Sequence, residues 1–211
     1  MTPPVIIYGA GGHAAVLIDT LRLLRREVLF IIDDDPTTHG QSVDGLEVRG
    51  DASILNRHRP AELELANAIG SVRAVIARRE KFLALRDKGF HFATIIHPAA
   101  VVAASAELGH GTQIMAGAVV QPRVRLGDNT LINTRAAVDH DARIGEHAHI
   151  APGATLSGDV RVGESAHVGV GASVLQGLSL GARATIGAGA VVIRDVADGA
   201  TVVGCPARPT D

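Results

Sequence analysis

The sequence predicts an α/β domain with a parallel sheet followed by an all-β parallel β-helix. Three observations carry that prediction. An aliphatic residue recurs every six positions from Ile96 to Val192, a glycine-rich turn follows the first apolar run, and aromatic residues are scarce. Hydrophobic residues make up 46% of the chain, yet it has no Trp, one Tyr and four Phe. A core of stacked aliphatics explains both facts.

The elements follow in order. Val5-Ile6-Ile7-Tyr8 reads as a short buried strand, followed by Gly9-Ala10-Gly11-Gly12-His13-Ala14 and a helix with Leu17, Leu21 and Leu24 on one face. Val28 to Ile32 is a second strand, ending in Asp33-Asp34-Asp35-Pro36. A third strand is expected near Leu65–Ile69, closing on Gly70-Ser71. Arg78 to Lys88 reads as another helix, and Phe92 to Ile96 leads into the repeats. This is a half-Rossmann β-α-β-α-β unit over residues 1–94. Gly9-x-Gly11-x-x-Ala14 between strand and helix fits the dinucleotide fingerprint, with an acidic residue about 20 positions on. Glycines there let backbone approach a pyrophosphate, and the helix N-terminus favours negative charge. A NAD-dependent dehydrogenase would need a second half-sheet and a catalytic domain. The same physics serves a nucleotide-sugar.

The hexads occupy residues 95–196. Seventeen aliphatic positions keep register, and Ala or Thr usually stands four residues after each. Six residues are too few for a helical solenoid and match a β-helix repeat. Each hexad is a short strand plus a corner, three hexads make a coil, and residues eighteen apart stack at roughly 4.8 Å. Glycines follow the aliphatic at Gly109, Gly127, Gly145, Gly163, Gly169, Gly181 and Gly187, where the bend is expected to need permissive φ/ψ. Residues 197–211 form a terminal tail.

A formal charge of −2 with no basic run argues against nucleic acid as the main partner. No signal peptide and no apolar segment of membrane-spanning length are apparent, and the single Cys205 excludes a disulfide framework. The expectation is a cytoplasmic protein without membrane contact.

The unbroken hexads resemble those of the hexapeptide-repeat acyltransferases, whose coils wind left-handed and which assemble as homotrimers. Together, the Gly9–Ala14 loop, Ile32-Asp33-Asp34-Asp35, Ile95-Ile96-His97-Pro98 and the hexads resemble the sugar O/N-acyltransferases of bacterial glycan synthesis. These include enzymes acetylating UDP-linked 4-amino-sugars or GDP-perosamine, and the sialic acid O-acetyltransferases. The resemblance implies an acetyl-CoA-dependent acetyltransferase of surface-glycan (lipopolysaccharide) biosynthesis. It implies that Gly9, Gly11, Gly12, His13, Asp33, Asp34 and Gly70 hold the nucleotide-sugar acceptor, while the coils hold acetyl-CoA.

Of ten histidines, His140 is the fourth residue of its hexad and points outward. Asn133-Thr134-x3-Val138-Asp139-His140-Asp141 matches the family's catalytic stretch, in which His is the general base. An attacking ammonium must lose a proton, and imidazole titrates near the working pH. Asp141 or Asp139 would fix the tautomer; relatives often carry Glu at the position of Asp141. His149 matches a second family His near the thioester carbonyl, where it polarises that carbonyl or holds the acceptor. Acetyl-CoA is expected against His149, Gly158, Gly187, Ala188 and Arg208, with Arg194 a further phosphate partner. Gly204-Cys205-Pro206-Ala207-Arg208 resembles the family's motif over the adenine end of CoA. Cys205 reads as inert, so transfer is direct. The site is expected between subunits, lined by outward residues such as Leu131 and Ala151. Two alternatives stand beside N-acetylation of an amino-sugar. One is sialic acid O-acetylation by the same residues. The other is a carbonic-anhydrase-like metal site built on His149 and His167, which stack on adjacent coils, with His147 or His140; the leading reading expects no metal.

Overall fold

The computed structural model describes residues 2–70 and 75–210. The chain divides into two compact units, Met1–Ile95 and Ile96–Asp211.

In the first unit, β1 (Val5–Tyr8), α1 (Gly12–Leu23) and β2 (Val28–Ile32) appear where the apolar pattern puts them. A hairpin of β3 (Ser42–Val43) and β4 (Leu46–Glu47) and three short 3-10 turns fill the crossover to β5 (Glu64–Asn67). Helix α2 spans Val75–Asp87, and β6 (His91–Phe92) follows. The sheet order is β2-β1-β5-β6, with all neighbours parallel. Phe92 thus belongs to a fourth strand of this sheet. β1 is a continuous apolar run because both its faces are covered. Ala14, Leu17, Ile18 and Leu21 form the buried face of α1, whereas Leu24 caps its end and is partly exposed. Ser71 lies outside the described residues.

The second unit is a parallel β-helix of two-residue strands. Its first face begins at Ile95–Ile96 and continues through Gln113–Ile114, Leu131–Ile132, His149–Ile150, His167–Val168 and Thr185–Ile186. The second face runs from Val101–Val102 to Val191–Val192, and the third from Glu107–Leu108 to Ser179–Leu180. Strands pair eighteen residues apart, as Leu131 with His149 and Ala137 with Thr155. Every periodic aliphatic from Ile114 to Val192 is buried in one column, with the small fourth-following residues. The repeat ends after Val192: Leu180 bridges Val196 and Thr185 pairs with Thr201, both sixteen apart. Residues 197–210 add Thr201–Val203 and an antiparallel Arg208–Pro209 strand to the first face.

The glycines after the aliphatics do a different job from the one expected. Gly109, Gly127, Gly145, Gly163 and Gly181 lack a left-handed φ; a Cβ on Gly145 would lie 2.7 Å from the Glu164 nitrogen. They are glycine because the next coil's backbone passes too close. Left-handed φ falls two residues later, as at Asn129, Asp141, His147, Asp159 and Gly177. Asn and Asp tolerate that conformation better than most residues.

Candidate active site

Two groups of side chains on the second unit, and one loop in the first, account for the residues singled out from sequence.

The first group lies at the corner between the second and third faces. His140 is half exposed, and its Nδ1 lies 2.8 Å from Oδ2 of Asp141. Asp139 instead accepts the backbone N–H of His140 through Oδ1, at 2.7 Å. The carboxylate at the imidazole is therefore Asp141, which reaches despite its short side chain because its φ is +63° and turns it back along the corner. Nδ1–H donating to Asp141 leaves Nε2 free to take a proton. Arg123, one coil earlier, donates to the same carboxylate from Nε at 2.6 Å and Nη2 at 2.8 Å. These bonds, Arg123 first and His140 second, hold the Asp141 carboxyl well below the ordinary range. Arg123 was not found from sequence; the signal was its place eighteen residues before Asp141.

Gly158 stacks on His140 from the next coil. Its φ is not left-handed, but a Cβ there would sit 2.6 Å from Cε1 and 2.8 Å from Nε2 of the imidazole. The missing side chain is the space in which the ring rests. Gln176 and Arg194 continue this corner at the same position, with Leu175 and Ile193 exposed beside them. Arg194 and Arg208 line one depression of about 330 Å³ at the end of the helix.

The second group lies on the first face and the corner joining it to the second. His149 is buried; its Nε2 is 3.1 Å from Nδ2 of Asn133, and its ring meets His167 edge-on at 5.0 Å. Burial lowers the pKa of His167. Gly187 and Ala188 lie further along this corner. A Cβ on Gly187 would meet the Val203 side chain at 2.7 Å, so packing also requires glycine there. One chain therefore does not unite His140 with His149: His140 stands at the corner of the second and third faces, and His149 lies on the first face. Leu131 and Ala151 are each 2% exposed within the single chain, so they are not free to line a subunit interface as expected. His147 is buried at a third corner, its Nδ1 3.0 Å from Asn129. Among the described residues no three His, Cys, Asp or Glu side chains converge as a metal-ligand set.

In the first unit, Gly9 combines φ +108° with a Cβ position 2.9 Å from the Ala68 carbonyl carbon, so both conformation and space demand glycine. Gly11 and Gly12 face open space at the start of α1, and Gly70 is exposed. Asp33 braces the loop, accepting Ala10 N–H at 2.6 Å and Asp35 N–H at 2.8 Å. Asp34 accepts from the Tyr8 hydroxyl at 2.7 Å and pairs with Lys81. Burial works against its charge, but the Lys81 and Tyr8 hydrogen bonds hold its carboxyl below the ordinary value. Lys81 was also missed from sequence. His13, at the first turn of α1, is half-buried.

Comparison with known proteins fits this division. Residues 4–81 match the PglD N-terminal domain, and residues 123–158 match the bacterial transferase hexapeptide (six repeats). PerB from Caulobacter crescentus, solved with CoA and GDP-perosamine, is 41% identical over 100% of this chain and 99% of that one, with a TM-score of 0.92. This chain belongs to the hexapeptide-repeat sugar N-acetyltransferases, enzymes of the left-handed β-helix class. The acetyltransferase domain of PglB from Neisseria gonorrhoeae, solved with acetyl coenzyme A, is 38% identical over 100% of both chains, with a TM-score of 0.92. WeeI from Acinetobacter baumannii is 26% identical over 99% of this chain and 100% of that one, with a TM-score of 0.87. No curated protein sequence matches. No helix among the described residues is long and apolar enough to cross a membrane.

Proposed function

We propose that this N-acetyltransferase transfers acetyl from acetyl-CoA to the amino group of a nucleotide-linked amino-deoxy-sugar, with GDP-perosamine the first acceptor to test. The observation that carries the reading is the His140–Asp141 pair seated on Gly158 at an open corner, in a chain 41% identical to an enzyme solved with CoA and GDP-perosamine.

The sugar amine attacks in its neutral form, and Nε2 of His140 takes a proton from the nitrogen as it closes on the thioester carbonyl. Asp141 holds the ring and stabilises the imidazolium. Collapse of the tetrahedral intermediate breaks the C–S bond, and the proton passes to the departing CoA sulfur. Cys205 is exposed in the terminal turn and forms no acyl-enzyme. The pantetheine arm follows Gly158 and Gln176 to Arg194, three coils or about 14 Å from His140. The phosphates meet Arg194 and Arg208 in the depression those residues share. The Gly9–Gly12 loop, His13 and Gly70 receive the sugar nucleotide, with Asp33 bracing the loop. The reaction belongs to the cytoplasm, where both co-substrates are made.

The complete site forms between copies in a homotrimer. The outward residues of the second face are Val101, Val119, Ala137, Thr155, Ser173 and Val191, all uncharged, whereas the third face carries Glu107, Arg125, Arg143 and Arg161. Burying the uncharged face costs least desolvation. Three chains with second faces turned to a common axis bring the His140 edge of one against the Asn133–His149 edge of the next, and Gly187 and Ala188 with it.

The test is thiol release from acetyl-CoA with GDP-perosamine and UDP-linked 4-amino-sugars. His140→Ala should lower kcat by roughly 10²–10⁴, the usual general-base contribution, with acetyl-CoA KM nearly unchanged. Trimers mixed from His140→Ala and His149→Ala chains should regain part of the lost activity, because some interfaces carry both intact residues. An unaltered kcat in His140→Ala removes the base, and a fully active monomer removes the shared site.

A further inference from the structure

Arg123 stands one coil before the catalytic corner, and nothing in the proposed reaction yet uses it. Its guanidinium makes a two-pronged contact with Asp141, at 2.6 Å and 2.8 Å, while Oδ2 of the same carboxylate faces His140 Nδ1 at 2.8 Å. Two groups from successive coils, Arg123 and His140, therefore share the one carboxylate of Asp141. Elsewhere on the third face, Arg125–Glu107 is a looser single contact at 3.3 Å and Arg161–Asp159 lies at 3.8 Å.

We propose that Arg123 is a positioning residue for His140, clamping Asp141 to orient the imidazole and offsetting the carboxylate charge that the imidazole faces. The proposal rests on the reading of His140 as base. Its geometric half follows from the fork: two parallel N–H···O bonds fix the carboxylate plane, which a single hydrogen bond leaves free to rotate. Its electrostatic half follows from sign. An unneutralised Asp141 would favour the imidazolium form of its neighbour, and Arg123 offsets that charge. The lowered carboxyl of Asp141 agrees, since a guanidinium is its first cause.

Other charges near the ring do not supply this. Asp139 is turned to the His140 backbone N–H, and Asp159 on the following coil donates its own backbone N–H to the His140 carbonyl while its carboxylate faces Arg161. Arg125, Arg143 and Glu107 share with Arg123 and Asp141 an open depression of about 520 Å³, but none has a direct bond to Asp141 or His140.

The test is the pH profile of kcat/KM for thiol release with GDP-perosamine, comparing wild type, Arg123→Met, Arg123→Lys and Asp141→Asn, with His140→Ala as control. Arg123 is exposed and already at φ +62°, so an unbranched residue takes its place without new backbone strain. In Arg123→Met the acidic limb should move up by roughly 0.5–1 pH unit, as a solvent-screened charge allows, and kcat should fall several-fold at unchanged acetyl-CoA KM. Arg123→Lys keeps the charge and loses the fork: its limb should stay near wild type while kcat remains low. Asp141→Asn should move the limb the opposite way, downward. A wild-type profile in Arg123→Met, or a lowered melting temperature without any limb shift, overturns the role of Arg123 while leaving His140 as base. A fully active His140→Ala overturns both together.

Discussion

Replacing Gly158 by Ala isolates the geometry of the base from the stability of the fold. The added Cβ would stand 2.6 Å from Cε1, 2.8 Å from Nε2 and 3.2 Å from Nδ1 of His140. To reach the 3.4 Å of an ordinary contact the ring must retreat by about 0.8 Å. That is enough to lengthen its 2.8 Å contact with Asp141 past good hydrogen-bond geometry. The backbone has no objection, because Gly158 lacks a left-handed φ and the nearest atoms in the way are the end of an exposed side chain. Melting temperature should therefore stay at the wild-type value. Misplacing a catalytic group by about 1 Å costs up to about 100-fold, so kcat should fall roughly 10- to 100-fold. Steady-state thiol release separates two roles for this glycine. Loss in kcat at constant acetyl-CoA KM means that Gly158 seats the ring. A raised acetyl-CoA KM with normal kcat means that its backbone receives the pantetheine arm instead. Wild-type values of both would refute the geometric argument.

Two further predictions concern the loop and the buried histidine. Gly11→Val should leave the melting temperature unchanged, since its side chain enters open space, yet raise acceptor KM sharply by blocking backbone approach to the pyrophosphate. Gly9→Ala should instead lower the melting temperature, because it combines left-handed strain with a 2.9 Å clash on Ala68; the reverse pattern in the two melts would defeat this reading. Burial depresses the folded pKa of His167, while the unfolded chain takes up a proton below about 6.5. The unfolded state then binds more protons, and stability should fall as pH drops from 7 towards 5. Denaturant midpoints across that range should slope less in His167→Asn, and equal slopes would exclude His167 as the source.

By itself the sequence determined the fold of the second unit almost completely. A six-residue phase decides which side chains enter the column, so Ile114 through Val192 are legible as core from the sequence. It also determined that His140 is outward and that a glycine loop precedes α1. Tertiary structure alone decided which outward residues meet. Periodicity assigns each residue a coil and a face, but contacts between coils depend on corner backbone and side-chain reach. Asp141 rather than Asp139 reaches the imidazole because its φ is left-handed, and Arg123 joins it only because coils stack eighteen residues apart. The glycines after the aliphatics show the same limit: their spacing is visible, but that they answer to the next coil's proximity rather than to φ is a distance. His140 and His149 are nine residues apart, half a coil, which puts one at a corner and the other on the face opposite it. A linear chain carries that angle only once it has been wound.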